Sequence, residues 1–173
     1  MPQHNSLAFR SSSILNTLSS KDVQSVYQDR DGYIWISTRN GLFQYDGYSI
    51  TTYKSNLYCP DLLSSNNIFC VAEDSCHRLW IGTYSGLNVL DKRTGEVRKI
   101  ENAELSSTGI SQILVTSDQR ILFATEAGLF EYQENDDTFL VYDASNTGGV
   151  FPRNTVKSLF EDDRGDIWIG TWN

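Results

Sequence analysis

Apolar positions in this chain come in short blocks, each closed by a polar turn, and the whole set of blocks recurs. Val23–Asp29, VQSVYQD, reads as a first strand with Val23 and Val26 in apolar positions. An RDG turn follows, in which Gly32 can take the positive φ that a tight turn demands. Tyr33–Thr38, YIWIST, is apolar on both faces, which predicts a strand buried on both sides. RNG makes the next turn, GLFQY a third strand, and DG leads into a fourth, SITTY. The same order returns in Ile68–Ile100 and Ile110–Tyr142, and Val156–Asn173 supplies the start of another copy. The Thr that ends each WIGT-like run stands at Thr38, Thr83, Thr125 and Thr171, at spacings of 45, 42 and 46 residues. Trp35, Trp80 and Trp168 share one register, where the third copy has Leu122. A Gly-Leu pair follows each of the first three Thr residues, at Gly41, Gly86 and Gly128, and reads as a hairpin glycine leading into a buried Leu.

A four-strand unit of about 40–50 residues with Trp and Gly at fixed offsets is the pattern of propeller blades. No window holds the i, i+3, i+4, i+7 apolar set of a helix over three turns, and a parallel β-helix would need a shorter repeat. The expected fold is all-β: a β-propeller fragment of about three and a half four-stranded blades. An N-terminal segment, 1–19, precedes blades at 20–53, 68–100 and 110–142 and a partial one at 156–173. The Trp register is expected to pack between adjacent blades rather than to stack on a ligand.

Composition narrows the function. The chain has 173 residues, about one ordinary domain, of which 39% are hydrophobic and 21% charged, as in globular proteins. Fourteen Lys and Arg against 22 Asp and Glu leave a net charge of −8, which argues against nucleic-acid binding by bulk electrostatics. No run approaches the length of a transmembrane helix. The start, MPQHNSLAFRSSS, lacks the apolar core of a signal peptide, so either the protein is cytosolic or a targeting segment lies outside this sequence. Two His and three Cys, far apart, do not make a zinc site. The Asp-rich turns Asp29–Gly32 and Asp162–Gly165 invite calcium, but the matching turns carry Cys76-His77 and Asp118-Gln119, so a structural role is expected. No metal and no cofactor is expected.

The pattern D-x-x-G-x-[IL]-W-I-G-T-x-x-G-L-x-x-Y-D is fullest in Gln28–Asp46 and Glu161–Thr171 and worn in Glu73–Asp91. It resembles the two-component regulator propeller repeat, with Leu122-Phe123-Ala124 as the departure in the third copy. That resemblance implies the periplasmic sensor region of a hybrid two-component histidine kinase and response regulator, in which such repeats build seven-bladed propellers. It implies membrane attachment only through later segments, a carbohydrate-derived ligand, and a strand near Leu7–Arg10, followed by Leu18-Ser19, that closes the ring.

Strand order alone places candidate ligand contacts. Alternate turns of a blade lie on opposite rims, so Arg39-Asn40, Tyr84-Ser85, Glu126-Ala127 and Trp172-Asn173 should ring one mouth. The long connections Lys54–Asn67, Glu101–Gly109 and Asp143–Thr155 project from the same mouth, where recognition usually resides. Arg39 could clamp a carboxylate, and Tyr84, Trp172 or Tyr58 could cover a sugar face. A sensing module without chemistry of its own is the leading reading, with a protein-interaction propeller and a polysaccharide-active enzyme as alternatives. Glycosidases need two carboxylates about one bond. Glu126 is the one carboxylate at the four equivalent turn positions; Asp61, Glu101 and Glu104 lie in nearby loops with nothing to pair them. A Ser-His-Asp set fails as well, since His4 stands at the start and His77 on the other rim. No catalytic residue is therefore assigned. No disulfide is expected among Cys59, Cys70 and Cys76. The open blade flanks suggest a homo-oligomer, two half-rings of three and a half blades making seven.

Overall fold

The computed structural model describes residue 18, residues 21–151 and residues 154–172. The ring-closing strand expected near Leu7–Arg10, together with Ser19, lies outside these residues, as does Asn173. Three sheets have four strands each and a fourth has two. The first is β1 (Val23–Gln28), β2 (Ile34–Thr38), β3 (Gly41–Tyr45) and β4 (Ile50–Tyr53). The second is β5 (Ile68–Glu73), β6 (Arg78–Thr83), β7 (Leu87–Asp91) and β8 (Val97–Lys99). The third is β9 (Ile110–Val115), β10 (Ile121–Thr125), β11 (Leu129–Gln133) and β12 (Thr138–Tyr142), and the last is β13 (Val156–Glu161) with β14 (Ile167–Thr171). Every sheet is an antiparallel meander in chain order. Among the described residues the helical content is a single 3-10 turn, Leu105–Ser107. The expected propeller blades are thus present, three complete and one of two strands.

The first strands of successive blades stand side by side and are laced together. The Glu73 N–H donates to the Tyr27 hydroxyl (3.2 Å), the Cys70 thiol donates to the Ile110 carbonyl (3.4 Å), and the Gln112 carboxamide grips both the N–H and the carbonyl of Leu159 (2.8 and 2.9 Å). Each first strand also slips by one residue against its neighbour, leaving Gln24, Phe69, Ser111 and Lys157 as the bulged positions. A bulge re-aims the side chain it carries.

The core lies in the seams between blades. Trp35 of the first blade, fully buried, packs with Ile68, Val71, Leu79 and Ile81 of the second. Trp80 repeats this against Ile113, Phe123 and Tyr132 of the third, and Leu122 against Val156 and Leu159 of the fourth. Trp168 differs: it is 61% exposed, because no described sheet stands on its side of β13 and β14.

The Asp-rich turns are held by their own first carboxylate. Asp74 Oδ1 accepts from the N–H groups of Cys76 (2.9 Å) and Arg78 (3.0 Å), and its Oδ2 accepts from the Trp80 indole (2.8 Å). Asp29 and Asp162 do the same for Trp35 and Trp168. In the third blade Thr116 takes the place of Asp and binds the Arg120 N–H (2.9 Å), with no indole to serve. A Cβ on Gly82 would lie 2.7 Å from Cys70 Sγ and 2.9 Å from Ile110 Cβ, which is why the motif puts Gly between Ile81 and Thr83.

Candidate functional site

One mouth is built by the Thr-x-x-Gly turns. The Thr83 hydroxyl donates to the Gly86 carbonyl (2.8 Å) and accepts from the Ser85 N–H (3.1 Å), and Thr38 and Thr125 bridge their turns identically. The N–H groups of Arg39, Tyr84 and Trp172 reach the carbonyls of Asp22, Asn67 and Thr155 at the entry of their own blades. Backbone and threonine fix each turn, so the residue after Thr is displayed without a structural task of its own. Arg39, Asn40, Tyr84, Glu126 and Trp172 are all exposed.

Three of the displayed residues are brought together by partners from the first strands. The Tyr84 ring meets the edge of Phe69 at 6.2 Å. Gly109 sits where a Cβ would be 3.3 Å from the Tyr84 carbonyl and 3.8 Å from the Glu126 carboxyl carbon, so two turns approach across a residue with no side chain. Glu126 faces Lys157 at 3.6 Å, and the Lys157 ammonium stands 5.7 Å over the Trp172 ring. Phe69, Tyr84, Glu126, Lys157 and Trp172 thus form one arc of aromatic faces around an ion pair. Among the described residues no polar contact ties Arg39 or Tyr58 to it. Asn40 accepts from Lys54 (3.2 Å), and Tyr58, 94% exposed, sits in a loop pinned by Asn56. Such an exposed ion pair contributes at most about 1 kcal/mol to folding, which leaves both charges available to a ligand.

Sequence reasoning did not single out Phe69, Gly109 or Lys157. Phe69 and Lys157 share the bulged register, but a bulge leaves no residue signature. It shows only in the pairing of strands.

The opposite rim carries a buried charge cluster between the first two blades. Lys92 Nζ lies 2.8 Å from Asp29, 2.6 Å from Asp31 and 2.9 Å from Glu73, and Glu73 also accepts from the Arg30 N–H (2.8 Å). Burial opposes the charge on Asp29, yet the Lys92 ammonium and the Trp35 indole outweigh it and hold its pKa below the ordinary value. Burial likewise opposes the Lys92 ammonium, and its three carboxylates raise its pKa well above that of a free lysine. Asp31, Glu73 and His77 bring ligand atoms within 4.8 Å of one another, a spacing that suits a metal ion. Lys92 already supplies the positive charge there, so the cluster is a lysine-centred brace between blades.

The model of the two-component regulator propeller family matches residues 17–40, 62–85 and 151–173. These are the first, second and fourth blades up to the Thr-x-x-Gly turn; the third, with Thr116 and Leu122 in place of Asp and Trp, goes unmatched. Over 54 residues, 31% of the chain and 4% of the relative, the sequence is 33% identical to a protein of Formosa agariphila named histidine kinase P4. The extracellular domain of a hybrid two-component system from B. thetaiotaomicron superposes with a TM-score of 0.82 at 22% identity, over 94% of this chain and 24% of that one. Virginiamycin B lyase from Staphylococcus aureus shares the fold at a TM-score of 0.64 and 14% identity, over 85% of this chain and 48% of that one. The chain therefore spans a small part of the histidine kinase and about a quarter of the solved extracellular domain. Repeated motif, blade geometry and matched segments agree: the first, second and fourth blades of this chain carry the two-component regulator propeller repeat.

Proposed function

We propose that the chain is a ligand-sensing, extracytoplasmic part of a hybrid two-component histidine kinase, and that its mouth takes a carbohydrate-derived ligand without transforming it. The arc of Phe69, Tyr84, Glu126, Lys157 and Trp172 carries this reading. Ring faces cover the apolar side of a sugar, and a carboxylate beside an ammonium offers both an acceptor and a donor to its hydroxyls. The arc rests on backbone-fixed turns of three blades, so it is rigid before any ligand arrives. The kinship of the repeats supports the receptor context, and the extracellular relatives support a place outside the cytoplasm. Catalysis is disfavoured because the neighbour of Glu126 is an ammonium rather than the second carboxylate of a glycosidase.

Exposure of Leu57 (97%) and Tyr58 (94%) on the first long connection favours a second reading, a protein partner docking at the same mouth. An oligosaccharide array read for both binding and product separates the readings. Retention of a glycan without product, lost in Tyr84→Ala and Trp172→Ala, supports sensing. Product formation replaces it with an enzyme, and an array without any binder leaves the protein-partner reading.

A further inference from the structure

The seams within this one molecule differ by a cavity on the outer wall, away from the mouth. The three described seams share a register: Tyr33, Arg78 and Arg120 are equivalent, one turn of the strand ahead of Trp35, Trp80 and Leu122. Between the second and third blades, Arg78 fills the wedge. Its guanidinium lies 5.3 Å over Trp80 and 5.6 Å over Tyr132, donates to Asp74 (2.6 Å), and forks onto Glu134 (2.9 and 2.5 Å). Beside the guanidinium a shallow recess of about 200 Å³ is left, and the larger cavity of this seam, about 660 Å³, lies farther out over Arg98, Ile100 and Phe139, away from Arg78 and Trp80.

Between the first and second blades the plug is missing. The residue at the Arg78 register is Tyr33, that at the Tyr132 register is Leu90, and that at the Glu134 register is Lys92. Lys92 serves Asp29 from the far blade, so the charge of the missing guanidinium is replaced but its volume is not. A cavity of about 400 Å³ remains, lined by Tyr33, Trp35, Gln44, Tyr53, Leu90 and Lys92, with Asp31 at its edge. Tyr53 lies against Trp35 (5.5 Å between rings) and its hydroxyl reaches Gln44 (3.4 Å), so the wall is preformed.

We propose that this pocket binds one ring of a neutral sugar. The Lys92 ammonium lines the pocket beside Asp31 and engages that carboxylate at 2.6 Å, so a cationic ligand would meet a positive charge at the same edge. The two tyrosine rings offer flat apolar cover, while their hydroxyls, the Gln44 carboxamide and the Asp31 carboxylate offer donors and acceptors suited to ring hydroxyls. The size lies at the small end of ligand pockets, room for one ring or two. This inference does not rest on the mouth reading, since the two sites share no residue.

The test is a two-dimensional NMR titration of the whole chain with glucose, galactose, mannose, xylose, arabinose and their β-linked disaccharides. Saturable shifts at Tyr33, Gln44, Tyr53 and Leu90, with at least one sugar, are expected. Tyr33→Arg, which restores the side chain used in the neighbouring seam, should lower the affinity tenfold or more, and Gln44→Leu should weaken it severalfold; Tyr84→Ala at the mouth should leave it within twofold. Shifts confined to Tyr84, Glu126 and Trp172 would overturn the wall pocket while supporting the mouth. No shift at the wall with any of these sugars would overturn it outright. Because the wild-type titration stands alone, a variant that fails to fold does not rescue the proposal.

Discussion

Asp74 and Trp80, six residues apart, are joined by an indole N–H donated to a carboxylate at 2.8 Å, and the same bond recurs between Asp29 and Trp35 and between Asp162 and Trp168. One carboxylate thus closes a turn and orients the largest side chain of the seam. Replacing Trp80 by Ala removes a fully buried aromatic and should cost about 3–5 kcal/mol. Trp80→Phe keeps most of the packing and removes one of the two donors to Asp74 Oδ2, which still accepts from the Arg78 guanidinium, so its loss should be smaller, about 0.5–1.5 kcal/mol. Urea denaturation of both variants checks the order; equal losses would show that the indole bond carries nothing.

Lys92 is the ammonium that pairs with both Asp29 and Glu73, whose side chains are fully buried. Lys92→Met leaves those charges without a counterion and should destabilise by about 3–5 kcal/mol, far more than an exposed ion pair would. A loss below 1 kcal/mol in a denaturation series would mean that water or another cation replaces the ammonium.

The same cluster sets a pH dependence. Asp29 titrates below its ordinary value of 3.8 in the folded protein, so its contribution is complete above that pH and is lost as pH falls through the lower folded value. Lys92 titrates above 10.5, so its contribution is complete below that pH and is lost only as pH rises through the higher folded value. Melting temperature should therefore be insensitive to the cluster between these limits and fall outside them. In Asp29→Asn the acid limb should flatten; an unchanged limb would assign acid unfolding to other carboxylates.

Gly82→Ala forces a methyl into a space bounded by Cys70 and Ile110, and overpacking of this kind costs about 1–3 kcal/mol. Cys70→Ala in the same chain should recover part of the loss. Additive losses in the double-mutant cycle would show that the strain lies elsewhere.

Cys59 and Cys76 are exposed, whereas Cys70 is buried and its thiol is pushed up to about 12 by that burial. Two thiols should react quickly with a chromogenic disulfide in the native protein and the third only in denaturant. Three fast thiols would mean that the seam holding Cys70 opens readily.

The repeat was legible because the blades solve one packing problem with a few recurring residues: a Trp for the seam in three of them, a small residue (Ser37, Gly82, Ala124, Gly170) two positions on, and a Thr to close the turn in all four. The Asp–Trp bond left a trace as well, since the copy that has Leu122 instead of Trp also has Thr116 instead of Asp. The arc at the mouth was half legible: Tyr84, Glu126 and Trp172 stand out as variable residues on a constant turn, but Phe69 and Lys157 join them through bulged pairings. Lys92 was opaque, for its partners Asp29, Asp31 and Glu73 lie in another blade or another strand, and only the stacking of blades assembles them. The prominence of Arg39 and Tyr58 in the sequence does not translate into a place in the arc.

Each seam tryptophan is covered by the blade that comes later in the chain: Trp35 by residues from Ile68 onward, Trp80 by residues from Ile110 onward. A blade emerging from the ribosome or an export channel, amino end first, is therefore unfinished until roughly one further repeat has followed it. Until then its tryptophan is a sticky, chaperone-accessible surface. Translation pauses or point substitutions early in one blade would register as misassembly of the blade before it.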